Sequence, residues 1–191
     1  MLQTADAGQT EDGALVRRAQ AGDAEAFGLL VERYMRRAYF AALALVSRRE
    51  DALDLSQEAF ARAFLARRSI DPERPFYAWL YQILRRLCFN FLRDRRTRAR
   101  TLEAAGTWLA DEAAERFRSD PADALARREA QRRVAAAMEA LPAREREVLA
   151  LKEFESLTYR EIASLVGIPV GTVMSRLYSA RRRLADALEE P

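Results

Sequence analysis

The chain has 191 residues, half of them hydrophobic, with 32 basic and 29 acidic side chains and a formal net charge of +3, a length that can bury a core as one domain or two small ones. It has no histidine and a single cysteine, Cys88; this excludes histidine-based triads, zinc sites and disulfide scaffolds and fits a reducing, cytoplasmic setting. Eighteen consecutive apolar residues, a signal-peptide pattern and a glycine-rich phosphate loop are all missing from the sequence, so no membrane insertion, cofactor, metal or small-molecule substrate is expected.

Residues 1 to 12 read as a flexible polar tail, and residues 13 to 97 as a first helical domain. Leu15 and Val16 mark a short helix, Gly22 and Asp23 a break and a cap, and Phe27, Leu30, Val31, Tyr34, Ala38, Ala41 and Leu45 the apolar positions of a long second helix. A third helix is predicted from about Glu50 to Ala66, with Leu53, Phe60 and Phe64 on one side, Asp51, Asp54 and Glu58 on the other, and Gln57 at the border. Asp71, Pro72 and Pro75 punctuate a loop, and a fourth helix starts near Phe76. Its inner stripe is Leu80, Ile83, Leu84, Leu87 and Phe91; its far side stacks Gln82, Arg86, Phe89 and Arg93, flanked by Trp79 and Asn90, and Arg95, Arg96, Arg98 and Arg100 extend the basic surface.

Residues 98 to 121 are polar and alanine-rich and read as a linker. A second helical domain, residues 122 to 191, begins with a helix to Ala140, stops at Leu141 and Pro142, and resumes from Arg144 to Phe154. Strand-type alternation is not evident, so the fold class is all-α: two small helical domains joined by a linker.

Leu157 to Leu184 reads as a helix-turn-helix. Thr158 and Glu161 form a capping box, Ile162, Leu165 and Val166 an inner stripe, Gly167 a left-handed stop, and Pro169 the entry to a new helix from Val170. Val173, Leu177, Ala180 and Leu184 then recur at i, i+4, i+7 and i+11, which turns Ser175, Tyr178, Ser179 and Arg182 outward. Such a face enters the major groove, with later cations such as Arg181, Arg182 and Arg183 beside phosphates. A plain helical hairpin with a solvated basic face has the same periodicity. All cations except Lys152 are arginine; the planar fork suits phosphate and guanine, although a GC-rich codon composition produces the same bias.

Two faces of the first domain add to this. The acidic face of the third helix suits a basic partner, though acids also favour a helix's N-terminal turn for its dipole alone. Aromatics interleaved with arginines on the fourth helix suit partly unstacked nucleic acid, whereas Trp79 and Phe89 serve equally as packing against neighbouring helices.

Taken together, these segments resemble the sigma-70 family of RNA polymerase sigma factors, in its small, two-domain extracytoplasmic-function (ECF) group. DALDLSQEAF at Asp51 to Phe60 is similar to the family's core-polymerase-binding segment, DPERPFYAWL at Asp71 to Leu80 to the loop and helix start that engage the minus-10 element, and LPAREREVLAL at Leu141 to Leu151 to the opening of the minus-35-reading domain. The resemblance covers about Gly22 to Arg96 and Asp123 to Leu188. It implies that Asp51, Asp54, Gln57 and Glu58 bind core polymerase, with Asp54, Gln57 and Glu58 on the coiled coil of its large clamp subunit, and that the flap subunit is a further partner. Arg74, Gln82, Arg86, Phe89, Asn90 and Arg93 would hold the melted minus-10 strand, with Ser69 to Pro75 capturing an extruded base. Thr158, Tyr159, Thr172, Met174, Ser175, Tyr178, Ser179 and Arg182 would read the minus-35 element. A membrane-linked anti-sigma factor is the implied regulator. Many relatives carry asparagine at Arg86, a departure that bears on base preference, and lysine or arginine at Met174, where the missing cation implies a weaker base or phosphate contact. The competing reading is a dimeric helix-turn-helix regulator of palindromic duplex DNA, which needs neither the acidic third-helix face nor the aromatic and basic fourth helix. A nucleic-acid enzyme lacks a histidine and any recognisable metal-ligand spacing.

Overall fold

A computed structural model describes residues 3–104 and 123–189, and among these residues there are eight α-helices, one short 3-10 turn and no strand. The predicted linker, 98–121, falls partly outside the described residues, from 105 on, and partly inside the fourth helix, which continues to Ala104.

The first helix, α1 (Gln3–Gln20), takes in residues 3–12 of the polar segment read as a tail, and Asp12 is buried. Its carboxylate accepts from Arg33 at 2.6 Å and from the Tyr34 hydroxyl, so a polar group taken from water keeps charged and neutral partners. Asp23 caps α2 (Ala24–Val46) by accepting from the Ala26 N–H at 3.1 Å. α2 ends at Ser47, a non-glycine residue in the left-handed region with φ +65°.

α3 (Arg49–Leu65) lies against α2 and α4 and buries Ala52, Ser56, Ala59, Phe60 and Ala63. Small residues on this face let the backbones approach closely, and the interface centres on them. Leu53, expected on the inner side, is therefore at the edge and 44% exposed. After the 3-10 turn at Arg67–Ser69, α4 (Phe76–Ala104) buries Phe76, Tyr77, Leu80, Tyr81, Leu84, Leu87 and Cys88, with Phe27 edge-on to Phe76 and Phe64. Burial pushes the Cys88 thiol up to about 12, which leaves it inert at neutral pH.

In the second half, α5 (Asp123–Ala140) and α6 (Ala143–Glu153) precede the pair α7 (Tyr159–Val166) and α8 (Val170–Glu189). α7 and α8 are bent 106° from one another, within the helix-turn-helix range of about 90–120°. The capping box at Thr158 and Glu161 is present, Gly167 takes φ +74° as the stop, and Val173, Leu177 and Ala180 bury the expected stripe of α8. Among the described residues no single helix is long and apolar enough to cross a membrane.

The two halves do not stand apart. One apolar cluster runs from Val16 and Phe27 through Leu84 to Val148, Ile162 and Leu177.

Candidate functional site

On α3, Asp54, Gln57 and Glu58 are exposed, and Glu58 pairs with Arg62 at 2.6 Å. Asp51 differs: it is half-buried, Oδ2 has no hydrogen-bond partner, and Arg48 lies 3.8 Å away. Asp54, Gln57 and Glu58 thus share an exposed face with Leu53 beside them, and Asp51 lies half-buried in the first turn of the helix.

Arg74 stands out from the loop before α4, 3.4 Å from Asp71, with most of its side chain exposed. Along the outward face of α4, Arg86, Asn90 and Arg93 are exposed and Phe89 is half-buried, with the Arg85 guanidinium 4.8 Å over its ring. Trp79 packs into the core beside Phe76. Gln82 is not free for nucleic acid in this arrangement, because its side-chain amide donates to the Leu165 carbonyl at the end of α7. A helix leaves its last carbonyls without intrahelical partners, and Gln82 supplies one of them with a donor.

The outward face of α8 is open. Met174 is 53% and Tyr178 70% exposed, Ser175 and Arg182 are exposed, and Thr172 and Ser179 are intermediate. Ser175 donates to the Thr172 carbonyl at 3.1 Å. Thr158 is exposed at the start of α7, and Tyr159 is half-buried with Lys152 5.6 Å over its ring. Of the three consecutive arginines, Arg181 pairs with Glu153 at 2.8 Å and Arg183 with Glu145 at 3.2 Å. Those two tie α8 to α6, and Arg182 between them is exposed.

Sequence reasoning missed the residues that join the halves. Arg146 is buried on α6, and one guanidinium serves two helix ends. It donates to the Leu45 carbonyl at 2.5 Å and the Ser47 hydroxyl at 3.0 Å at the end of α2, and to the Met138 and Glu139 carbonyls at 3.3 and 3.1 Å at the end of α5. Cations belong at helix C-termini, where carbonyls are unpaired and the dipole is negative. The neighbouring Glu147 is fully buried and faces α4: Arg85 grips its carboxylate with two donors, at 2.5 and 3.2 Å, and Tyr81 donates to it at 3.0 Å. Burial, then the Glu147 charge, raises the Tyr81 pKa well above its ordinary value and keeps the phenol a donor. Arg37 pairs with Glu155 and lies 3.8 Å over the Tyr77 ring. The available signal was two adjacent charges, Arg146 and Glu147, leading directly into the apolar run Val148 to Leu151. That placement gives charges to a face that packs.

Comparison with known proteins adds a consistent set of likenesses. The family model for Sigma-70 region 2 matches residues 30–98, and that for Sigma-70, region 4, matches residues 131–184. The RNA polymerase sigma-H factor of Pseudomonas aeruginosa is 36% identical over 185 residues, covering 95% of both chains. The ECF RNA polymerase sigma-E factor of Escherichia coli is 35% identical over 188 residues, covering 95% of this chain and 96% of the relative. Among solved structures, CnrH in complex with the cytosolic domain of CnrY superposes with a TM-score of 0.68 at 28% identity, covering 94% of this chain and 97% of that one. The sigma factor RpoE of Bartonella quintana, in complex with the anti-sigma factor NepR, gives 0.65 at 25% identity, covering 86% and 97%.

Proposed function

Because this chain belongs to the sigma-70 family of RNA polymerase sigma factors, in the extracytoplasmic-function group, we propose a division of initiation among its three exposed faces. The protein is a transcription initiation factor and not an enzyme. It binds core RNA polymerase, recognises the minus-35 and minus-10 promoter elements, promotes melting, and is controlled by an anti-sigma factor. Its work is carried out where the polymerase is, in the cytoplasm.

In this reading, residues 13–97 bind polymerase and the minus-10 element, and residues 122–191 read the minus-35 element. Asp54, Gln57 and Glu58 dock on polymerase. Arg74, Arg86, Phe89, Asn90 and Arg93 meet the melted strand, joined by Gln82 once it leaves Leu165. Met174, Ser175, Tyr178 and Arg182 face the major groove, with Thr158, Tyr159, Thr172 and Ser179 along its edge. The observation that carries this is the coexistence, in one chain, of an exposed acidic helix face with two outward helices that present arginines beside aromatic rings. Acidic surface repels DNA but steers a basic protein partner. Joint binding of the two DNA readers is then an effective-concentration problem that the polymerase solves by fixing their spacing.

Control by an anti-sigma factor, membrane-linked in our reading, fits the groove between α2 and the α5–α6 pair. Phe40 and Phe154 are 50% and 72% exposed there, with the exposed Arg36 at the rim, a match for an acidic segment with an apolar face.

Run-off transcription with purified core polymerase on a genomic promoter library tests the reading. Wild type is expected to direct specific starts, and Asp54→Arg to lose them while keeping its affinity for minus-35 duplex. A wild type that binds DNA as a dimer and directs no start refutes it.

A further inference from the structure

The segment between α3 and α4 shapes its own curl. Asp71 accepts from the Glu73 N–H at 3.0 Å, Ser69 donates to the Ala66 carbonyl at 2.8 Å, and Arg74 sits by Asp71. Such local contacts set the form of a turn and leave its position on the bundle open. α1 supplies the position.

Gln20, the last residue of α1, spends both protons of its amide on carbonyls at either side of the turn, Arg67 at 3.0 Å and Ile70 at 2.8 Å. Arg67 returns the contact: Nε donates to the Ala19 carbonyl at 3.2 Å and Nη1 to the Phe64 carbonyl at 2.9 Å, with the guanidinium 4.4 Å over the Phe64 ring. Two turns earlier on α1, Gly13 backs onto Pro72. A Cβ there would lie 2.5 Å from the Pro72 carbonyl oxygen, so only glycine permits the approach. Between them Arg17 reaches Glu73 at 2.6 Å. Gly13, Arg17 and Gln20 fall at i, i+4 and i+7, one face of α1, while Val16 and Ala19 beside them enter the core. All three precede residue 30, where the region 2 match begins.

We propose that this face of α1 positions the loop at Asp71 to Pro75 for reading the minus-10 element, with Gly13 and Gln20 as positioning residues that touch no DNA. The proposal rests on the loop's assignment to that element. Recognition of an extruded base needs its surrounding groups held within about 0.5 Å. Gln20 fixes the two carbonyls that open and close the 3-10 turn, and Gly13 fixes how close the loop lies to α1.

The test uses full-length protein with core polymerase, comparing wild type, Gln20→Leu, Gly13→Ala and the loop variant Arg74→Ala. Fork-junction DNA carries the cognate or base-substituted minus-10 element mapped by run-off transcription. In Gln20→Leu and Gly13→Ala, exchange of the Ser69, Ile70 and Arg74 amide protons is expected to rise about tenfold while that of α2 amides holds. Discrimination between cognate and substituted minus-10 DNA is expected to fall about tenfold, with core affinity and minus-35 discrimination unchanged. A merely structural role would lower binding to every DNA alike in both variants, and that result overturns the proposal. Faster loop exchange with intact discrimination also overturns it, as does unchanged exchange. Sensitivity of Arg74→Ala alone would leave the loop's assignment standing and remove α1's part in it; insensitivity of Arg74→Ala together with both α1 variants would remove the assignment itself.

Discussion

The outward faces of α4 and α8 use similar chemistry, aromatic rings and arginines at helical spacing, yet one is partly covered and the other is open. On α8, Met174, Tyr178 and Arg182 meet solvent. On α4, Arg85 is held by Glu147 and Gln82 by the Leu165 carbonyl, so the exposed residues come later, from Arg86 and Asn90 to Arg93 and the arginines Arg95, Arg96 and Arg98. The difference comes from the partner element: α6 and α7 lie on the first part of α4, whereas among the described residues the neighbours of α8, namely α5, α6 and α7, leave Met174, Tyr178 and Arg182 exposed. Periodicity tells which residues share a face. Which face stays wet depends on what folds against it.

Breaking the cover on α4 should have the largest effect. Glu147→Ala leaves Arg85 and Tyr81 without their shared acceptor, and loss of one partner from a buried pair costs roughly 3–5 kcal/mol. The halves are expected to part, seen as a larger radius of gyration in small-angle scattering and a lower melting temperature. An unchanged radius with unchanged melting would mean that the apolar cluster alone holds them.

Met174→Arg sharpens the contrast from the open side. A cation at that exposed position is expected to tighten holoenzyme binding to promoter DNA several-fold and to steepen its salt dependence by about one unit of slope. No change in a titration across salt concentrations would show that residue 174 faces away from DNA.

A smaller effect follows from acid at the α7 cap. The Thr158 hydroxyl and backbone N–H donate to Glu161 and hold its carboxyl below its ordinary value of 4.5. A depressed carboxylate contributes stability that is fully present above its unfolded pKa and is lost as pH falls through the folded one. Glu161→Gln should therefore be less stable than wild type at neutral pH, by a few tenths of a kcal/mol for so exposed a pair. The gap in melting temperature should close as pH falls below the ordinary carboxyl value of 4.5 and through the depressed folded one. A gap independent of pH would assign the cap's worth to the threonine alone.

Most of the architecture is written in local signals. Asp23, Thr158 with Glu161, Gly167 and Pro169 set helix ends through contacts within a few residues, and the stripe Val173, Leu177, Ala180 fixes which way α8 turns, so each is legible from spacing alone. The exposed residues Asp54, Gln57, Glu58, Arg86 and Met174 follow from the same periodicity. Leu53 does not, because the small side chains of α3 draw α2 to a different centre and leave the leucine at the edge. Asp12, Gln20, Gln82, Arg146 and Glu147 lie further beyond its reach: their partners are 50 or more residues away for Gln20 and Ile70, 83 for Gln82 and Leu165, 101 for Arg146 and Leu45. The sequence by itself determined the helices, their apolar faces and the chemistry offered on each outer face, since these depend on spacing within one helix. The tertiary structure alone decided which polar groups close one another's helix ends, which carboxylate is buried between α4 and α6, and how α1 backs the loop, because a buried charge or an unpaired carbonyl is satisfied by whatever the folded chain brings beside it.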